Sequence, residues 1–546
     1  MSTLPASFRW GVATAAYQIE GAAREDGRGR SIWDTFSHTP GRVRGGDTGD
    51  TATDHYHRWR EDIALLRELG VDAYRLSIAW PRVQPTGRGE LNPAGVRFYR
   101  ELLTELRAAG IAPYVTLYHW DLPQELQDAG GWPVRETALT FADYAAAMAR
   151  ELGDLVDTWI TLNEPWCTAF LGYGSGVHAP GITDDAAALA AAHHLNLAHG
   201  LAARAIRAEL GEDTRISISL NLHVFDPADE ENTADLAAVE QVSLVGNKIF
   251  LGPLMDATYP TELIRLTRSL TDWSFVQPGD LELCRVRLDV LGFNYYTVQT
   301  VRARTEGEAG AAARAEESGD AGPNGEPGAS GDAAAVPTCW PACENVEFLP
   351  PAQLSNAADY EPADSEDPDE GWPVTDMGWA VEPRGLYDLI AALDTAYEGT
   401  ALAITENGAA YPDTLTDGAV HDEQRVEYLR AHIAEVRAAV ADGAPVEAYF
   451  AWSLLDNFEW AEGYAKRFGL YYVDYATQRR YAKDSAHYYR EVIAAHRAEV
   501  EQARASEKQV AARADHGDHT GVTDGDSSRA TAAERGRRRR RWWRKR

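Results

Sequence analysis

Eight short runs of β-branched and aromatic residues alternate with long amphipathic stretches, and this alternation constrains the fold more than any other feature of the chain. The runs are Phe8–Gln18, Ala73–Trp80, Ala112–Trp120, Thr158–Pro165, Arg215–Leu222, Val290–Tyr296, Ala401–Gly408 and Val446–Asn457. Between them lie patterns of helical period such as TDHYHRWREDIALLRELG, PAGVRFYRELLTELRAAG and DEQRVEYLRAHIAEVRAAVADG, ending on Gly70, Gly110 and Gly443. Near-continuous apolar strands separated by helices predict a parallel sheet covered on its outer face. Eight such units over about 490 residues predict an α/β (β/α)8 barrel with long loops. An open dinucleotide-binding sheet would show a glycine-rich turn after its first strand, whereas this first run leads into Tyr17-Gln18-Ile19-Glu20-Gly21.

Two segments stand apart from that pattern. Residues 303–371 are rich in Ala, Gly, Pro and Ser and hold sixteen Asp or Glu against Arg304 and Arg314. A segment of this composition buries too little apolar surface to offset chain entropy, so most of it reads as a disordered insertion after strand six. Cys339 and Cys343 lie within it, two thiols without a nearby histidine, which suits an ordinary loop better than a metal site. From residue 498 to Arg546 the chain reads as a disordered tail ending RGRRRRRWWRKR. The catalytic barrel is accordingly expected from residues 1–302 and 372–497 as one domain.

Charge is distributed unevenly. The whole chain of 546 residues carries a formal −32, yet its last eighteen residues hold ten Arg or Lys and one Glu. An acidic body argues against nucleic acid as a partner for the barrel, while the basic tail could meet anionic surfaces, RNA included, neutralise the chain's own acidic insertion, or stay solvated without a role. Four cysteines in such a length form no disulfide framework and indicate a reducing compartment. Neither a signal-peptide pattern nor an apolar membrane span is evident, and a cytoplasmic protein is expected.

In a parallel barrel the reactive side chains gather at the C-terminal ends of the strands. Those ends offer Gln18, His119-Trp120, Asn163-Glu164, Asn221, Asn294-Tyr295-Tyr296, Glu406-Asn407 and the run from Trp452 to Trp460. They form a ring of hydrogen-bonding groups and indoles around two glutamates, with no cluster suited to a metal or cofactor. Two carboxyl groups across one pocket can cleave a glycosidic bond, one giving a proton and the other attacking the anomeric carbon. They need opposite environments. Arg75, late in strand two, either supports Glu406 or serves as an ion pair of the barrel wall. Gln18, His119, Asn163 and Glu459 suit sugar hydroxyls, and Trp452 and Trp460 supply a stacking face and an indole N–H.

These motifs, from Phe8 to about Ala494, resemble glycoside hydrolase family 1, the β-glucosidase family. The match rests on Phe8–Gly21, YHWDLP (Tyr118–Pro123), TLNEPW (Thr161–Trp166), GFNYY (Gly292–Tyr296), ITENG (Ile404–Gly408) and WSLLDNFEW (Trp452–Trp460), all in order. The resemblance implies a retaining β-glucosidase with Glu164 as acid/base and Glu406 as nucleophile. It implies that Gln18, His119, Asn163, Glu459 and Trp460 hold the terminal sugar above Trp452. Tyr296 would bond the nucleophile, with Arg75, Asn294 and Trp120 in support. Glu459-Trp460 favours an unphosphorylated sugar, although Lys466 is present as in the phosphoglycosidase branch. Trp166, Tyr173 and Trp379 are candidates for the leaving-group side. Departures from the family pattern are the insertion, the basic tail and His487-Tyr488 where Trp-Tyr is usual. Substrates would be cello-oligosaccharides or aryl and alkyl β-glucosides. A broader galactosidase or fucosidase, a transglycosidase, or a non-catalytic sugar-binding barrel remain as alternatives, and the oligomeric state stays open.

Overall fold

The structure, a computed structural model, describes residues 4–305, 339–351 and 374–515. Eight parallel strands close into a barrel: β1 (Arg9–Ala13), β2 (Ala73–Ser77), β3 (Ala112–Tyr118), β4 (Thr158–Asn163), β5 (Ile216–Asn221), β6 (Val290–Asn294), β7 (Leu402–Asn407) and β8 (Val446–Trp452). Each pairs with its sequence neighbours, and β8 returns to β1 through Ala13 opposite Trp452. All eight fall within the runs expected from sequence. Val, Ile, Leu and aromatic side chains fill both faces of the wall, as parallel strands sheathed in helices require.

Local signals set the helices between them. Asn92 caps the helix Pro93–Ala108 by accepting from the Ala94 amide, and Pro93 takes the first turn, where an N–H would have no partner. Asp184 caps Asp185–Leu210 in the same way. Helix His55–Leu69 stops at Gly70, whose φ of 73° places it in the left-handed region that glycine enters freely. The apolar faces of these helices join the barrel wall in one contiguous core. Among the described residues no helix is long and apolar enough to cross a membrane.

Three features of the fold depart from what the sequence predicts. Gln18 does not end a strand: β1 stops at Ala13, and Gln18 sits on a short buried helix, Ala16–Ile19. Part of the span read as a disordered insertion is built into the fold. Val346–Leu349 pairs antiparallel with Val298–Ala303, which in turn pairs with Val224–Pro227. Trp340, Cys343 and Val346 are buried there, so a few apolar side chains anchor a stretch whose average composition is polar and acidic. Finally, the last helix runs from Asp484 to Asp515, well past residue 497. Its extension is rich in Ala, Glu, Arg and Gln, strong helix formers, and Glu499 reaches Arg437 at 3.2 Å. The remainder of the insertion and the arginine-rich end lie outside the described residues.

Candidate active site

Strand register assembles the site. Glu406 on β7 stands opposite Asn294 on β6, which stands opposite Asn221 on β5, while Asn163 on β4 faces Ser219 of β5. The strands bring these residues to one rim although they are scattered across the sequence. Gly408 makes the β7–β8 approach there possible, because a Cβ at that position would lie 1.9 Å from the carbonyl oxygen of Trp452.

The two glutamates are buried and differently held. Arg75, 1% exposed, forms an ion pair with Glu406 through one arm of its guanidinium. Tyr296 donates its hydroxyl to the other oxygen of Glu406 at 2.7 Å. A guanidinium cannot lose its charge in a protein, so Glu406 sits against a permanent cation. Glu164 has no such partner. Asn294 Nδ2 donates to its Oε1 at 2.7 Å, and the Cys167 thiol meets its Oε2 at 3.3 Å. Burial, with the charge of Glu406 second, pushes Glu164 up to about 7. One carboxyl group is thus set to carry a proton near neutrality and the other is gripped by a cation, the division of labour that glycosidic cleavage needs.

Asparagines tie the two halves together. The Oδ1 of Asn163 accepts from Arg75 at 2.5 Å and from Asn294 at 3.2 Å. Ser219 and Thr405 donate to Asn294 Oδ1 at 2.8 and 2.7 Å, which fixes the amide so that its NH2 points at Glu164. Neither this orientation nor the thiol of Cys167 was anticipated, since both depend on which strands become neighbours.

The rest of the ring surrounds these acids. His119 lies 3.0 Å from Asn163 Nδ2, and Trp120 donates to the Asn163 carbonyl at 3.0 Å. Burial, helped by Arg75, drives His119 well below its ordinary pKa, so it is a neutral imidazole. Gln18 donates to Phe458 O at 2.9 Å and to Asn457 at 3.1 Å, with Glu459 at 3.4 Å. Its Oε1 and the Nδ1 of His119 are buried without a protein partner, the state of polar atoms meant for a ligand. Burial beside Glu406 and Glu164 raises Glu459 to about 8. Trp452 and Trp460 each stack on His119 with ring centroids 5.9 Å apart, and Trp460 also packs on Trp120 and Trp33.

Three non-glycine residues of the rim, Trp120, Glu164 and Trp460, hold left-handed backbone, with φ of 76°, 45° and 49°. Such conformations cost about 1–3 kcal/mol each and persist where their surroundings over-determine them.

Of the residues expected on the leaving-group side, Trp166 packs against Trp340 at 4.8 Å and His223 at 4.7 Å, and Trp379 lies 5.4 Å from Tyr296. Tyr173 does not join them: it is fully buried and bonded to Gln127 and the Trp132 amide. Lys466 pairs with Asp376 at 3.2 Å. Among the described residues no three His, Cys, Asp or Glu side chains gather as a metal site.

The sequence profile of Glycosyl hydrolase family 1 matches residues 1–498. The chain belongs to glycosyl hydrolase family 1. Within the family it is 47% identical over 503 residues to a bifunctional beta-D-glucosidase/beta-D-fucosidase of Bifidobacterium breve, covering 90% of this chain and 99% of that protein. It is 41% identical to beta-glucosidase A of Thermotoga maritima over 90% of this chain and 97% of the relative. Among solved structures, the psychrophilic beta-glucosidase of Micrococcus antarcticus superposes with a TM-score of 0.79 at 42% identity, covering 91% of this chain and 98% of that one. The family 1 β-glucosidase of Thermotoga maritima in complex with isofagomine lactam gives 0.77 at 40% identity, over 90% of this chain and 98% of that one.

Proposed function

We propose that this family 1 member is a retaining β-glucosidase that removes the terminal β-D-glucosyl unit of cello-oligosaccharides or of aryl and alkyl β-glucosides. The observation that carries the reading is the contrast between Glu164, raised to about 7 by burial and by the charge of Glu406, and Glu406, paired with Arg75.

In the first step Glu164 gives its proton to the glycosidic oxygen while a carboxylate oxygen of Glu406 attacks the anomeric carbon. The bond to the leaving group breaks as the glycosyl ester forms. In the second step Glu164, now ionised, takes a proton from water, whose oxygen displaces Glu406 and regenerates both groups. Asn163, His119, Gln18 and Glu459 bind the sugar hydroxyls, Trp460 adds an indole N–H, and Trp452 lies beneath the ring. Arg75, Asn294, Tyr296 and Trp120 hold the acids and asparagines in place.

Two relatives named as β-glucosidases support glucose as the main sugar, and the bifunctional relative supports some tolerance for fucosides. Pairing of both carboxyl groups with dedicated partners speaks against a sugar-binding barrel without activity. Four buried, unpaired thiols support a cytoplasmic setting.

The test is a panel of aryl β-glycosides with cellobiose, comparing initial rates and the anomer first released. β-Glucosides cleaved fastest with β-glucose appearing first is the expected result. α-Glucose as the first product, or no turnover of any β-glucoside, would overturn the proposal.

A further inference from the structure

The Cys167 thiol follows the TLNEP motif by three residues from Glu164 and is buried. Its sulfur lies 3.3 Å from Glu164 Oε2, while Asn221 Nδ2 of β5 donates to the same sulfur at 3.5 Å. With the sulfur accepting from Asn221, the thiol proton is directed at Oε2. The opposite oxygen, Oε1, is taken by Asn294. The amides of Cys167 and Thr168 both donate to the Glu164 carbonyl, at 3.0 and 3.4 Å, so thiol and carboxyl sit on one rigid turn.

We propose that Cys167 is a positioning residue for the acid/base: its S–H and the Asn294 amide between them assign one oxygen of Glu164, Oε2, to proton transfer. This rests on Glu164 being the acid/base. When Oε2 carries the proton, the thiol turns from donor to acceptor and keeps the carboxyl plane in place. When the proton passes to the leaving oxygen, the S–H donates to the new carboxylate. A hydroxyl in place of the thiol would hold the carboxylate more strongly, and an alkyl group would not hold it at all. Burial and the neighbouring Glu164 raise the Cys167 thiol well above its ordinary value, so the sulfur keeps its proton.

Among the described residues, the other charged or titratable groups facing this pair are Glu406 from β7, Arg75 from β2, Tyr296 and Glu459 across the pocket, Cys339 from the 339–351 segment, and His223, whose Nε2 lies 3.5 Å from the same Asn221 amide. All stay the same in variants at position 167, which makes the sign of any change diagnostic.

The experiment is the pH profile of kcat/KM for nitrophenyl β-glucoside with the full chain and with Cys167→Ser, Cys167→Ala and Cys167→Val. The alkaline limb moves to lower pH in the serine variant and to higher pH in the alanine and valine variants, each by about half to one pH unit. Alanine and valine slow cellobiose, which needs its departing oxygen protonated, about tenfold more than dinitrophenyl β-glucoside, which does not. A limb that stays put in all three variants, or moves the same way in serine and alanine, overturns the proposal. Failure of the acid/base assignment looks different: Glu164→Ala would then show neither a lost alkaline limb nor rescue by azide.

Discussion

One guanidinium, that of Arg75 on β2, joins the carboxylate of Glu406 on β7 to the side-chain oxygen of Asn163 on β4. Its fork reaches two strands at once, and a lysine offers only a single point of charge. Arg75→Lys should therefore lower kcat for aryl glucosides by about 10²- to 10³-fold with little change in KM. Full activity would mean that the ion pair serves only the barrel wall.

Glu406→Gly should abolish hydrolysis while a non-hydrolysable sugar analogue still binds, as read by calorimetry. Glu164→Ala should lose the alkaline limb of its pH profile and regain rate with azide on an activated aryl glucoside, yielding the β-glucosyl azide. Parental rates in both variants would exclude the two-carboxylate mechanism.

The same carboxyl groups shape stability against pH. The folded values of Glu164, about 7, and Glu459, about 8, both exceed the ordinary 4.5. Below pH 4.5 folded and unfolded chains alike hold these protons and no penalty arises. As pH rises the unfolded chain releases them first, so stability falls until pH passes the folded values. Thermal unfolding should show Glu164→Gln flattening this fall, leaving the variant more stable than the parent by roughly 3 kcal/mol at pH 8 and equal to it at pH 4. A constant offset at all pH values would contradict the sign.

Glu459 faces Gln18 at 3.4 Å in a pocket shared with two other carboxyl groups. Glu459→Gln removes one partner for the sugar and should raise KM for β-glucosides about 10- to 100-fold. Phosphorylation of the sugar at its 6-hydroxyl should abolish cleavage by the parent, because a dianion would be desolvated beside these groups. Equal rates on both sugars would refute that placement.

Trp340 packs against Trp166, His223, Phe225 and Phe348. Trp340→Ala should cost about 3–5 kcal/mol of stability. It should also change KM for cellobiose more than kcat for aryl glucosides, since Trp166, expected on the leaving-group side, loses its backing. Unaltered cellobiose kinetics would separate this segment from the site.

Much of the architecture was legible in the chain because strand and helix periods are local properties. The runs Ala112–Trp120, Thr158–Pro165 and Ala401–Gly408 contain strands that end at Tyr118, Asn163 and Asn407, within two residues of each expected end. Gln18 was misplaced because an apolar run continues past the strand into a helical turn without a break in hydrophobicity. Cys339–Leu349 was missed because composition averaged over a long span hides one tryptophan and one short strand. The partners of Asn294 were beyond reach for another reason: Ser219 and Thr405 lie 75 and 111 positions away, and only closure of the sheet makes them neighbours.

The left-handed backbone at Glu164 has a consequence for how this enzyme can change. Glycine would relax that position, so the residue on which proton transfer is proposed to depend is one that the main chain would readily give up. A lineage under pressure for durability alone would drift toward losing the reaction, and only continued demand for turnover keeps an acid where the backbone would prefer none.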